Sequence, residues 1–384
     1  MLHDIFYIKG LCDVPSNENI RHLLKNSLGI TTCIWFKNGL FMSMLDNENK
    51  WGPPFLLSDN ATSDFSALLD LDDSISTSFV DYSGRLLYMN ACEEKKEPVV
   101  LLESRISGSS PYNVRLVEAD GSKYVFYTVS HNRKQLLTCQ KIDRSGYSMP
   151  EVEGVIIREG KNYAICSDDS VIHLFFVTDV QNVSLLVHRK IVEGKASKPV
   201  TTPFPYSPSL RLQTVIAKDG TLYVLAAHDD GQDSSVLFRF DPILNKFSKS
   251  IEIYNASSGP GSDSLILINN QPYVVRSLRN AFILSRIRVD CSAVADESRI
   301  NLEGRDIPLK CRYQSSHKED RNFKCDMTPM LFGNGLHFPF DIRALASQKI
   351  EKGNEGKEAL NERIRELEGR IEFLENTIRE ILRP

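Results

Sequence analysis

The sequence predicts an all-β body followed by a helical tail, and three observations carry that expectation. A short polar turn recurs seven times, at Asn26 to Gly29, Asp72 to Ser74, Ala119 to Gly121, Asp168 to Ser170, Lys218 to Gly220, Ile268 to Asn270 and Gly333 to Gly335. Apolar strand-like runs flank every occurrence, for example "NVRLVE" with "KYVFYTV" and "LQTVIA" with "TLYVLAA". After residue 345 the composition changes, and apolar residues fall at alternating spacings of three and four.

The repeat is most legible in its first two copies, which begin at Ile20 and Phe65. Each reads as strand, polar turn, strand, tight turn, strand, polar loop, strand. The tight turns Lys37-Asn38-Gly39 and Tyr82-Ser83-Gly84 supply the glycine a hairpin needs where φ is positive. Third strands recur in "QLLTCQKI", "VSLLVHRKI", "VLFRFDP" and "AFILSRIRV". A unit of three to four antiparallel strands kept in phase down a chain predicts a β-propeller over 1–345, with seven blades and six as the alternative. The seventh unit shows only its first hairpin, so "IFYIK", Ile5 to Lys9, is expected to supply its missing outer strand. Closing the ring with both chain ends removes exposed strand edges.

Residues Trp51, Pro54, Leu56, Leu57, Leu87, Tyr88, Pro98 and Leu101 give the early repeats a pattern that resembles the blades of sialidase-like and lectin-like propellers. The resemblance implies a fold. The Ser-x-Asp-x-Gly-x-x-Trp box of that group does not occur, and Lys218-Asp219-Gly220-Thr221 is a fragment of it. An enzyme of that kind would also need an inward-facing cluster of arginines and carboxylates at the channel mouth, together with a tyrosine nucleophile.

Ligands of propellers usually meet the face where the loops after second and fourth strands gather. On that rule the candidate ligand-binding residues are Asp81, Tyr82, His131, Asp179, Tyr206, His228, Asp229 and Arg279. Aromatic, amide and charged groups gathered on one rim suit a sugar or a peptide. No catalytic residue, metal ligand or cofactor is assigned. His228-Asp229-Asp230 runs into "GQDSS", which reads as solvated turn chemistry. Asp72-Asp73 and Asp168-Asp169 are expected to cap their turns. The basic stretch Lys310 to Lys324 reads as a solvated loop.

The tail divides into a polar linker, 346–358, and a helix, 359–384. Leu360, Leu367, Leu374 and Ile381 fall at d and Ile364, Ile371 and Ile378 at a, while Arg363 with Glu368 and Arg370 with Glu375 take g and e. This narrow stripe predicts a parallel coiled coil that joins copies of the chain.

Composition excludes other classes. The net charge of -4 gives no general attraction to nucleic acid. No run of apolar residues is long enough to span a membrane and the first residues lack a secretory pattern, so a cytoplasmic protein is expected. The eight cysteines are scattered singly, without metal-site spacing, and are expected as buried thiols. The functional expectation is a non-enzymatic, oligomeric binding protein that recognises a glycan, peptide or protein partner. The alternatives are a sialidase-like glycosidase and a structural assembly subunit.

Overall fold

In the computed structural model of the chain, residues 20–337 are described apart from 47–49, 92–96, 104–109, 144–145, 158–162, 169, 205–209, 229–234, 254–261, 279–280, 303–306 and 334. These residues form six sheets, antiparallel but for one parallel pair in the first, arranged as the blades of a β-propeller. The inner strands of the blades are Arg21–Lys25, Ala61–Leu69, Tyr112–Ala119, Tyr163–Ser167, Leu210–Ile216 and Ser262–Ile268. Each is followed by a second, a third and an outer strand, in the order expected from the repeat. The middles of most second and third strands are buried, and Ile75–Asp81 and Ser235–Asp241 have no exposed residue at all. Near-continuous apolar runs are what sheets packed between two neighbours require.

The blade count is six, where the recurring turns predict seven. The first six of those turns each open a blade, but the seventh, Gly333 to Gly335, joins Met327–Gly333 to Gly335–His337 in the same sheet as the first blade. The interval before that turn is longer because it holds two further strands. Ile307–Ser315 pairs in parallel with the first inner strand, Arg21 opposite Cys311 and Lys25 opposite Ser315. Phe323–Cys325 then returns along the last inner strand, with Ile266 opposite Cys325 and Ile268 opposite Phe323. Met327–Gly333 continues beside Ile307–Ser315. The chain thus closes its ring with a hairpin set inside the channel, between the first and sixth blades. "IFYIK" lies outside the described residues, as do the linker and the heptad residues Leu360, Ile364, Leu367, Ile371, Leu374, Ile378 and Ile381.

Side-chain alternation explains why this hairpin sits where it does. Cys311, Tyr313 and Phe323 pack with Leu23, Cys33, Trp35, Ile266 and Tyr273 in one core that bridges the two blades. The intervening Arg312, Gln314 and Lys324 line the channel, where Tyr313 also reaches the wall. A strand sends successive side chains to opposite faces, so one short segment seals a core and furnishes a cavity wall together. The stretch Lys310 to Lys324 is therefore a structural hairpin, and its expected solvated-loop character does not hold.

Bonds from side chains to backbone lace neighbouring inner strands. Ala67 N donates to His22 Nδ1 at 3.2 Å and Leu116 N to Ser66 Oγ at 3.0 Å. The Tyr163 hydroxyl donates to Asn113 O. Gln213 accepts from Leu265 N at 3.1 Å and donates to Asp263 O at 2.9 Å. Gln314 of the channel hairpin does the same with Leu69, both bonds being 2.9 Å. An amide that accepts and donates in this way imitates a strand where no strand could fit, and it satisfies backbone groups that burial would otherwise orphan.

Candidate functional site

The inner strands run towards the face that carries the recurring turns, and at that end the channel widens into a cavity of about 490 Å³. Its size falls in the range of small-ligand pockets. The walls come from five inner strands and the closing hairpin, and include His22, Ser66, Arg115, Cys166, Thr214, Arg312, Gln314, Lys324 and Asp326.

A charged cluster forms its deep wall. Asp326 follows the strand Phe323–Cys325 and receives Arg115 as a two-pronged partner, Nη1 to Oδ1 at 3.1 Å and Nη2 to Oδ2 at 3.3 Å. Arg312 Nη1 reaches the same Oδ1 at 3.1 Å. These side chains are 8%, 16% and 11% exposed for Arg115, Arg312 and Asp326, so the ion pairs lie well below the surface. Burial pushes the Asp326 carboxyl up from the ordinary range, while the charges of Arg115, Arg211 and Lys310 pull it back. Forked contact with a guanidinium is the geometry of an ionised carboxylate. Arg211, on the fifth inner strand, also donates to Met327 Sδ at 3.7 Å.

His22, Cys166 and Tyr313 in this lining are neutral near pH 7. His22 is held down at about 3, first by burial and then by the charge of Arg115. Burial pushes the Cys166 thiol up to about 12. Tyr313, which lines the cavity, donates its hydroxyl to Asp320 at 2.7 Å, and Asp320 is held by Lys25 at 2.9 Å. Burial moves the Tyr313 hydroxyl upward, away from ionisation. Among the described residues no three His, Cys, Asp or Glu side chains are grouped to hold a metal ion.

Of the residues expected from sequence to bind ligand, Asp81, Tyr82, His131 and Asp179 sit at the other end of the ring. Asp81 is buried at the end of its strand, where it accepts Arg85 N at 2.8 Å and pairs with Arg85 Nη2 at 2.7 Å. Tyr82 beside it is exposed, its N–H donating to Asn60 O. His131 is exposed and its ring contacts Asn132. Asp179 is exposed and accepts Ser184 Oγ at 2.7 Å. Each of these is bonded within its own blade, and none lines the cavity. His228 ends the strand Leu222–His228, while Tyr206, Asp229 and Arg279 lie outside the described residues. The turn carboxylates behave as expected from sequence: Asp72 accepts Ser74 N at 3.0 Å, and Asp168 accepts the N–H groups of Ser170 and Val171.

Sequence reasoning missed the cavity residues. Their signal was an arginine inside otherwise apolar first strands, Arg115 in "NVRLVE" and Arg211 in "LRLQTVIA". On a strand that lines a channel, such a residue faces inward.

The sequence matches no family model and no curated protein. Solved structures share the fold. A polysaccharide lyase of family PL25, an ulvan lyase bound to -[GlcA(1-4)Rha3S]-, superposes with a TM-score of 0.52 at 9% identity, covering 82% of this chain and 93% of its own. The hydrazine synthase of Kuenenia stuttgartiensis gives 0.51 at 12% identity, with 76% and 88% covered. The six-bladed fungal lectin of Aleuria aurantia gives 0.47 at 6% identity, with 74% and 95% covered. The chain is a β-propeller. Among the described residues, no helix is long and apolar enough to cross a membrane.

Proposed function

We propose that the protein is a binding head whose ligand enters the channel cavity on the turn face, and that its C-terminal heptads multiply this head into a parallel homo-oligomer. The observation that carries the reading is the cavity itself, a concave site of ligand size walled by fixed hydroxyl, amide and charged groups between apolar strands. Such a lining suits a saccharide, whose ring faces are apolar and whose hydroxyls need partners. Linking several heads on one stalk raises the effective affinity of weak sites by roughly 100-fold or more without a new contact.

One observation favours an enzyme instead: arginines and a carboxylate do cluster inside the channel. Their arrangement argues against hydrolysis. Two of the arginines are engaged by the chain's own Asp326, where an enzyme would present them to a substrate. Tyr313, the phenol of the cavity wall, is tied to Asp320 and held protonated, which removes the nucleophile such chemistry would use.

A glycan array probed with the full chain and with a version ending at residue 350, each first sized by mass in solution, tests the reading. Binding by the oligomer that weakens on truncation supports it. Release of a cleaved product from any arrayed glycan overturns it in favour of the enzyme.

A further inference from the structure

The ligand reading rests on shape and polarity; the charges of the cavity say more. At neutral pH the lining carries Arg115, Arg312 and Lys324 against the single carboxylate of Asp326, because His22 and Cys166 are both uncharged. Arg211 adds a further cation within reach of Asp326. A protein whose overall charge is -4 has concentrated positive charge in this cavity.

Two groups are left over once the internal bonds are made. Arg115 gives both terminal nitrogens to Asp326, but its buried Nε has no hydrogen-bond partner. Lys324 is exposed on the cavity side of its strand, since Phe323 and Cys325 on either side turn into the core. Among the described residues the Lys324 side chain has no hydrogen-bond or ion-pair partner, yet its charge is felt at Cys166 in another wall. A buried donor without an acceptor has lost its water and gained nothing in return, so an arriving acceptor is favoured by more than its own bond.

We infer that the cavity receives an anionic group, a carboxylate or a sulfate ester carried by the ligand, held by Lys324 and by the guanidiniums that already flank Asp326. This rests on the cavity being the ligand site. The acidic turns around the mouth do not oppose it strongly. Asp72 and Asp168 spend their oxygens on their own turns, and exposed charges are screened beyond about 8 Å at physiological ionic strength while the inner cations are not.

Calorimetric titration of the full chain tests this with four probes: sodium glucuronate, glucose 6-sulfate, inorganic sulfate and glucose. Glucuronate or glucose 6-sulfate is expected to bind and glucose is not, and which of the two binds more tightly tells carboxylate from sulfate. Lys324→Gln is expected to weaken the bound acid about tenfold. Lys134→Gln, on the opposite face, is expected to change nothing. Lys324 is exposed, so its substitution does not threaten folding. Glucose bound as well as glucuronate, or full binding retained by Lys324→Gln, overturns the inference while leaving the cavity as a sugar site. Inorganic sulfate bound without either acidic sugar upholds the anion site and overturns the saccharide reading. Silence from all four, with an array hit on neutral glycans, overturns the inference alone.

Discussion

Replacing Asp326 by asparagine tests the charged cluster and the ring closure together. The substitution keeps the shape of the side chain and its capacity to accept one hydrogen bond, but removes the negative charge that two guanidiniums share at 3.1 Å. Arg115, only 8% exposed, then faces Arg312 across a neutral amide, with Arg211 and Lys310 nearby. Removing one partner of a buried ion pair costs about 3–5 kcal/mol, because the remaining charges stay desolvated and uncompensated. The pair is partly open to the cavity, so the lower end, about 3 kcal/mol, is the expectation. Urea unfolding followed by tryptophan fluorescence reads it directly, because Trp35 lies in the core that the closing hairpin seals. The expected result is a lower midpoint with an unchanged slope. Sodium sulfate should restore more stability to the variant than to the parent, since the uncompensated guanidiniums attract an external anion. An Asp326→Asn variant as stable as the parent in low salt would refute the argument: Asp326 would then be protonated, and the cluster would not hold the hairpin.

Acid should weaken the fold through three buried imidazoles. His22 titrates at about 3, His173 at about 4 and His188 at about 2, each lowered first by burial. An unfolded histidine takes its proton near 6.5, so this stability is complete above that pH and is lost as pH falls towards the folded values; at pH 5 each group costs about 2 kcal/mol. Unfolding midpoints at pH 7 and pH 5 check the sum, and His188→Phe, which suits a site among Phe175 and Phe240, should flatten the dependence. Gln314→Ala removes both 2.9 Å bonds to Leu69 and should lower stability by about 1–3 kcal/mol, as measured by thermal unfolding. Ending the chain at residue 350 should convert an oligomer into a monomer by mass in solution, with the stability of the propeller within about 0.5 kcal/mol of the full chain.

Six of the seven recurring turns could be read as blade openings because a period-two apolar pattern and a turn residue are local signals. Asp72 and Asp168 were legible as turn caps for the same reason: their partners lie two or three residues away. The closing hairpin was not legible. Ile307–Ser315 pairs in parallel with a strand almost three hundred residues earlier, and nothing local marks that partner. Lys310, Arg312, Gln314 and Lys324 gave the segment a polar composition, although in a channel the polar face is the inner one and Cys311, Tyr313 and Phe323 lie in the core. The cavity was not legible for a related reason. Choosing the face by the usual habit of propellers pointed to Asp81 and Tyr82, whereas the depth of the cavity depends on which end of the channel the hairpin leaves open.

Closure and recognition depend on the same residues here. The strands that complete the ring also supply Arg312, Gln314, Lys324 and Asp326 to the cavity, so the cavity exists only in the closed ring. A ligand held there binds the closed form and not the open one, and linkage requires that it stabilise closure by RT ln(1 + [L]/Kd), about 2.7 kcal/mol at a hundredfold excess over Kd. That figure is close to the loss expected for Asp326→Asn. A saturating anionic ligand should therefore bring the variant back near the stability of the unliganded parent and, because the uncompensated guanidiniums of the variant hold an anion more tightly, narrow the gap between the two liganded proteins, whereas a ligand for any other face would raise both alike and leave that gap untouched.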